Sequence, residues 1–325
     1  MKYVLAPLAG FTDAPFRRLC FEGGADLTYT EMVSAAGLAH GSSPTRHLME
    51  TMPGEGPAAC QIFGANESDI AYATRFVEEW GGRTIDGRRQ TRFAEINLNA
   101  GCPMTKVTRE GAGAKLVEDP EKIYRLLKAM VANTSLPVTL KTRLGPHPQK
   151  TNVFEIVDAA ERAGAKGIVV HARYTSQMHG GPTHLDTLAE VVARAKLPVT
   201  GNGFVVDAKT AAAMAATGVD AIMVGRASLA NPWIFRELKG EDVRRETKDD
   251  FRRHLRYLLE FREQLAAKYP NDHIPSPDAF ASVKMHVHLF RYFNGRPGAA
   301  ELRKRLNTVR TLAEIEEIVS SRVII

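Results

Sequence analysis

The sequence predicts a closed eight-stranded (β/α) TIM barrel followed by a small C-terminal helical bundle, and three observations carry that prediction. A unit made of a short apolar run, a polar or glycine-bearing tip and an amphipathic helical stretch recurs eight times between residues 4 and 226. Most of the runs are near-continuous in Val, Ile and Leu, the pattern of parallel strands covered by helices on the outside. The stretch after the first run, APLAGFT at residues 6–12, lacks the glycine-rich loop that an open doubly wound nucleotide-binding sheet places there.

In chain order the predicted strands are 4–9, 27–32, 58–64, 94–99, 138–144, 167–173, 198–204 and 221–226. Helices fill the intervals, for example over 121–133 and 154–163. Asp119 followed by Pro120 reads as an N-cap with proline in the first turn, and Gly164 as a left-handed C-terminal stop. The polar, basic stretch 81–92 predicts a loop or short hairpin, and 44–56 a loop with a turn at Pro53 and Gly54. Beyond residue 239 the strand pattern stops. Helical spacing then runs over 249–269, from a Ser276–Pro277 cap through Phe290, over a short basic stretch at 299–307, and from a Thr311-x-x-Glu314 capping box. The expected organisation is a barrel at 1–238 and a helical domain at 239–325.

A chain of 325 residues with 44% hydrophobic content can bury a core of this size. No apolar run approaches the ~20 residues needed to span a bilayer, and the start MKYVL does not read as a secretory signal, so a soluble, cytoplasmic protein is expected. The three cysteines, Cys20, Cys60 and Cys102, lie far apart. They fit neither a zinc site nor a full disulfide framework, and no metal is expected. The formal charge is +6, of which +4 lies from residue 236 onward, with 18 Lys/Arg against 14 Asp/Glu. That excess suits a polyanionic partner and equally suits simple solubility.

In barrels of this kind the chemistry sits at the C-terminal ends of the strands. The tips here are Pro7, Glu31, Gln61, Asn99 with Cys102, Lys141 with Arg143, His171 with Arg173, Asn202, and Gly225 with Arg226. Polar groups converging from eight strands describe a pocket. The last two tips, GNG at 201–203 and Gly225–Arg226, stand where barrels build a phosphate site, because glycine lets backbone N–H groups approach and arginine adds a bidentate cation. A phosphate there, with Gln61, Lys141 and His171 around the mouth, suits flavin mononucleotide. The stretch GAGAK at 111–115 lacks P-loop spacing and predicts a mobile, substrate-facing loop.

At these residues the chain resembles the tRNA-dihydrouridine synthases, flavoenzymes that reduce uridine in tRNA. The resemblance is carried by APLAGFTDAPFRRLC (6–20), TEMVSA (30–35), QIFG (61–64), NLNAGCPMTKV (97–107), PVTLKTRLG (137–145), HARYTSQMHGG (171–181), GNG (201–203) and MVGRASLANPWIF (223–235). It implies FMN contacts at Pro7, Leu8, Ala9, Gln61, Lys141, His171, Asn202, Gly203, Phe204, Gly225 and Arg226, and Cys102 as proton donor. It further implies Asn99 and Arg173 near the substrate base, NADPH as reductant and tRNA as partner; a monomer is expected. The sequence departs from the family pattern at Asn97, often Asp there, at Phe204, at His179 and at Tyr174–Thr175.

A thiol suits the reaction so implied. Reducing the uracil C5=C6 bond needs a proton at C5 from a group still protonated at neutral pH, and a free cysteine titrates at about 8.5. Gly101 and Pro103 frame Cys102 in a turn just past a strand end. Cationic side chains of the tail, among them Arg252, Arg253, Arg256, Lys284, Arg291, Arg303, Lys304 and Arg305, are candidates for contacting tRNA phosphates. Three other readings remain at this point: a flavin barrel acting on a small molecule, a Schiff-base aldolase using Lys141, and an RNA-binding module without chemistry.

Overall fold

The computed structural model describes residues 1–80, 83–85, 88–90, 92–243, 246–292, 304–305 and 308–320. Its strands are β1 (Lys2–Leu5), β2 (Thr28–Tyr29), β3 (Val33–Ser34), β4 (Ala58–Phe63), β5 (Arg83–Ile85), β6 (Arg88–Gln90), β7 (Glu95–Ala100), β8 (Val138–Arg143), β9 (Gly167–His171), β10 (Val199–Asn202) and β11 (Ala221–Val224). All but β5 and β6 form one parallel sheet in the order β1-β11-β10-β9-β8-β7-β4-β2, with β3 also on β4. The ring closes between first and second strands through the Val4–Leu27 bridge, where Leu5 N–H donates to Leu27 C=O at 2.9 Å. The predicted barrel is therefore present, and β5 with β6 forms the antiparallel hairpin expected within 81–92.

Strand periodicity divides the barrel into two layers. On β7, Ile96, Leu98 and Ala100 point outward into a large core with helices such as Pro120–Val131 and Val153–Ala163, burying Ile123, Leu127, Ile156 and Ala160. Residues of the opposite parity point inward. The lower interior is filled by Val4, Tyr29, Ala59, Val169 and Met223, and polar residues occupy the level above. The helix signals act as read: Asp119 caps through Lys122 N–H at 3.0 Å, and Gly164 adopts φ 88°.

The predicted second strand, 27–32, departs from expectation. Only Thr28–Tyr29 of it forms β2, and pairing with β4 resumes just beyond it in β3; at the break the Thr30 hydroxyl rather than a main-chain carbonyl accepts the Gln61 N–H, at 3.0 Å. That substitution interrupts the ladder at the level of the barrel mouth.

Among the described residues, the helices Thr247–Lys268, Pro277–Tyr292 and Leu312–Ser320 follow the barrel. Ser276 caps the second through Ala279 N–H at 3.3 Å. The Thr311/Glu314 capping box opens the third, with bonds of 3.0 and 3.3 Å. Of the predicted stretch 299–307, only residues 304–305 lie within the described region, and Arg303 lies outside it. Phe251, Leu258, Leu289 and Ile315 bury fully, each stabilising by about 1.5–3 kcal/mol. Their core is completed by Ala14, Leu19 and Met52 of the barrel. The predicted loop 44–56 contributes to this junction: it holds a short helix, Ser43–His47, and the buried Glu50 carboxylate. Glu50 accepts from Arg92 at 2.7 Å and from Lys268 and Tyr269 at 2.5 Å.

Candidate active site

The strand register assembles the C-terminal mouth. Asn99 on β7 stands beside Lys141 on β8, Arg143 beside His171 on β9, and His171 beside Asn202 on β10. Side-chain contacts continue the ring. Lys141 Nζ donates to Asn202 Oδ1 at 3.1 Å, and Asn202 Nδ2 donates to Met223 C=O at 2.9 Å. Arg173 donates twice to Gly181 C=O, at 2.9 and 3.1 Å, and its Nη1 reaches His171 Nε2 at 3.3 Å. Because arginine can only donate, the His171 ring proton belongs on Nδ1. Arg226 donates to His179 C=O at 3.2 Å.

Glycines bring the backbone close where the sequence predicts a phosphate-binding end. Gly203 has φ 135°, and a Cβ there would lie 3.2 Å from the His171 ring. Phe204 follows at φ 55°, an uncommon conformation for an aromatic residue, with its ring 58% exposed and the Arg173 guanidinium 6.0 Å from its centroid. Gly225 faces Leu8, whose Cδ2 would be 3.9 Å from an added Cβ. Pro7 and Leu8 are half-buried and Ala9 exposed, on a turn in which Leu8 C=O accepts the N–H groups of Phe11 and Thr12. The Gly10 N–H on this turn donates to Glu31 at 2.5 Å.

Polar side chains fill the interior below the mouth. Gln61 is fully buried; its Nε2 donates to Asn97 Oδ1 at 2.7 Å, and its Oε1 accepts from Asn99 Nδ2 at 2.8 Å. Asn97 Nδ2 in turn donates to the Thr139 hydroxyl at 2.8 Å. Asn99 Oδ1 accepts the backbone N–H groups of Gly101 and Cys102, at 3.0 and 2.9 Å, and so fixes the turn that carries the thiol. From the other side Ala114 N–H donates to Cys102 C=O at 2.8 Å.

The electrostatics of the mouth are one-sided. Lys141 is pulled down to about 7, first by burial and then by Arg143. Arg143 is lowered to about 10 by burial. His171 lies well below its ordinary value because of burial and the surrounding cations, so its imidazole is neutral. Among the described residues, the largest charged influences on Lys141, Arg143, His171, Arg173 and His179 are other basic side chains and the Cys102 sulfur. Burial pushes the Cys102 thiol up, while the Met104 backbone, Arg143 and Lys141 pull the other way. Burial prevails, and the thiol keeps its proton at neutral pH. Cys20 and Cys60 are fully buried, away from this chemistry.

A model of the dihydrouridine synthase (Dus) family matches residues 4–324. The chain belongs to the dihydrouridine synthase family. It is 36% identical over 239 residues to tRNA-dihydrouridine synthase B of Klebsiella pneumoniae, covering 73% of this chain and 71% of that protein. The same enzyme of Salmonella typhimurium (strain LT2) is 35% identical over the same spans. An old yellow enzyme homologue from Zymomonas mobilis shares the fold, with a TM-score of 0.54 at 11% identity over 76% of this chain and 90% of that one. Among the described residues no helix is long and apolar enough to cross a membrane, and no group of three or more His, Cys, Asp or Glu side chains could hold a metal ion.

Against this family background, the structure brings Gln61, Asn99, Cys102, Lys141, His171, Arg173, Asn202, Gly203 and Arg226 to one mouth, and corrects one expectation. The stretch 111–115 is not a free loop. Ala112, Gly113 and Ala114 are buried, and a 3-10 helix, Gly113–Glu118, packs beneath Cys102. Tail cations also form ion pairs within the protein: Arg252 with Glu316, Arg253 with Glu22, Arg256 with Glu260 and Arg305 with Glu317 on the surface, and Lys284 with the buried Asp13 and Glu31. Arg291 lies 5.9 Å from the Phe11 ring centroid. The sequence reading gave no role to Arg143, whose guanidinium donates to Gly101, Tyr174 and Met178 carbonyls at 2.7, 3.1 and 2.7 Å. Its signal was its position two residues after Lys141, on the same face of the strand.

Proposed function

We propose that this protein reduces the C5=C6 bond of uridine in tRNA, with FMN in the barrel mouth and Cys102 as the proton donor. The observation that carries the reading is the Cys102 turn, held by Asn99 at the barrel mouth beside Lys141 and Arg143, with the thiol raised by burial. Buried positive charge of this kind calls for an anion. The donor set fits a flavin phosphate at Gly203, Gly225 and Arg226, with the ring edge facing Gln61, Lys141 and His171 and the chain at Pro7, Leu8, Ala9, Asn202 and Phe204. Bound there, FMN would supply the hydride to C6 and draw its electrons from NADPH.

The protein's own part is to orient the base and deliver the proton. Asn99 and Arg173 stand beside the thiol and the mouth, where they can hold the uracil. Cys102 gives its proton to C5 as charge develops on the base, and Arg143 and Lys141 stabilise the thiolate left behind until solvent reprotonates it. Neutral His171 contributes a hydrogen bond without adding a further cation. For tRNA phosphates, the paired tail cations are less available than Lys106 and Arg109, which are exposed on the turn after Cys102. In this reading residues 239–325 form the tRNA-orienting domain through their surface as a whole.

The test is dihydrouridine content of tRNA, measured by mass spectrometry in a deletion strain complemented with wild type or Cys102→Ala. Restoration by the wild type alone supports the proposal. Equal restoration by Cys102→Ala refutes the role of the thiol, and a purified protein that binds no flavin refutes the cofactor.

A further inference from the structure

A file of hydrogen-bonded side chains runs up the inside of the barrel from its floor to the thiol. At the bottom, the Glu95 carboxylate accepts from the Tyr29 hydroxyl at 2.7 Å and from the Thr139 hydroxyl at 2.9 Å. Thr139 accepts from Asn97 at 2.8 Å, Asn97 from Gln61 at 2.7 Å, and Gln61 from Asn99 at 2.8 Å. Asn99 accepts from the backbone of Gly101 and Cys102 at 3.0 and 2.9 Å. Glu95, Asn97 and Asn99 alternate along β7, so all three point into the barrel.

Every bond in the file points the same way, from the thiol's backbone down to the carboxylate. The three amides do not dictate this, since each could exchange its oxygen and nitrogen by a half-turn. The two ends do. Backbone N–H groups can only donate; at the other end burial raises the Glu95 carboxyl while the Tyr29 and Thr139 hydroxyls pull it back down, and in its ionised form it can only accept. Reversal would set the Asn99 NH2 against the N–H groups of Gly101 and Cys102.

We propose that Glu95 is a positioning residue: its carboxylate, acting through Thr139 and Asn97, fixes the amide orientation of Gln61 and Asn99 and thereby the turn that presents Cys102. The file compensates for Asn97. A carboxylate at that position would accept directly from Gln61, whereas an amide needs an acceptor beyond it, and Thr139 with Glu95 supplies one. The catalytic consequence rests on Cys102 being the acid; the orientation itself does not.

The test is Glu95→Gln, which keeps the shape and removes the obligatory acceptor, alone and combined with Asn97→Asp, which returns a carboxylate two links higher. Glu95→Gln should lower kcat for dihydrouridine formation about tenfold, the scale of one charge-assisted hydrogen bond, with KM for tRNA unchanged. It should also shift the side-chain NH2 resonances of Asn97, Gln61 and Asn99 in the flavin-free protein. The double variant should recover most of the lost rate. Should Glu95→Gln fail to fold, Thr139→Val breaks the same file and should give the same rate loss and the same resonance shifts. Unchanged amide resonances overturn the proposal, as does a rate loss that Asn97→Asp does not repair. If Cys102→Ala retains full activity, the reading of the acid fails, while the amide resonances still decide the orientation.

Discussion

Replacing Gly113 by alanine perturbs the proton donor without touching it. Gly113 has φ 59°, and a Cβ built on it would lie 2.6 Å from Cys102 C=O, 2.7 Å from Val107 Cγ1 and 3.3 Å from Cys102 Cβ. The left-handed backbone costs a non-glycine residue about 1–2 kcal/mol, and overpacking adds about 1–3 kcal/mol. Gly111→Ala is the matched control. It shares the backbone sign, φ 74°, but its Cβ would meet only Ala65 Cβ at 3.5 Å and Lys122 Nζ at 3.7 Å. Urea denaturation should therefore place Gly113→Ala about 1–3 kcal/mol below Gly111→Ala. Because the Cys102 carbonyl is backbone, the crowding is relieved by moving the turn that carries the thiol. A displacement near 1 Å can cost about 10²-fold in rate. Single-turnover formation of dihydrouridine from reduced enzyme should fall steeply for Gly113→Ala and little for Gly111→Ala. Equal stability and equal rates in the two variants would show that the 113–118 turn does not set the thiol's position.

Further outcomes follow from the site. Cys102→Ala should lower dihydrouridine formation by about 10²–10⁴-fold while NADPH still bleaches the flavin, as followed by absorbance. Because burial raises the thiol, the proton-transfer rate should stay flat through the ordinary thiol range and decline only above it; a decline within that range contradicts a protonated Cys102. Lys141 titrates at about 7 in the folded chain, so the unfolded chain binds more protons from there up to the normal lysine range. Stability of the flavin-free wild type relative to Lys141→Met should be flat below that window and rise with pH through it, as read by denaturant midpoints. Lys284→Met should cost about 1–3 kcal/mol by releasing Asp13 and Glu31, and leave the salt dependence of tRNA binding unchanged. Lys106→Ala and Arg109→Ala should each reduce that salt slope by about 1, measured by filter binding across a salt series.

The barrel was legible in the sequence because its strands are buried on their outer faces and carry apolar runs, and because its helix ends use local signals. Asp119, Gly164, Ser276 and the Thr311/Glu314 pair act within three or four residues of themselves, so no distant contact was needed to read them. The split second strand was not legible, since it depends on the Thr30 side chain meeting a backbone group on β4. The strand tips of the site could be read from position alone. The alternation of Glu95, Asn97 and Asn99 in EINLNA was also visible, but its partners Thr139 and Gln61 come from neighbouring strands. The pairing of Lys284 was hidden for the same reason: nothing local marks it as the partner of Asp13 and Glu31 rather than of solvent or phosphate. The burial of 112–114 under Cys102 likewise exists only once β7 and the following turn are in place.

The junction at Glu50 bears on how the chain comes to be folded at all. Its carboxylate is formed early in synthesis, yet two of its three donors, Lys268 and Tyr269, emerge some 200 residues later. Until then a group destined for burial has only Arg92 to answer it, and Leu19 and Met52 lack the apolar face that covers them. The loop that carries Glu50 therefore completes its contacts only with the helix Thr247–Lys268 in place. A truncation that removes the tail would strip the barrel of part of its own core, so loss of activity on deletion reports folding before it reports tRNA binding.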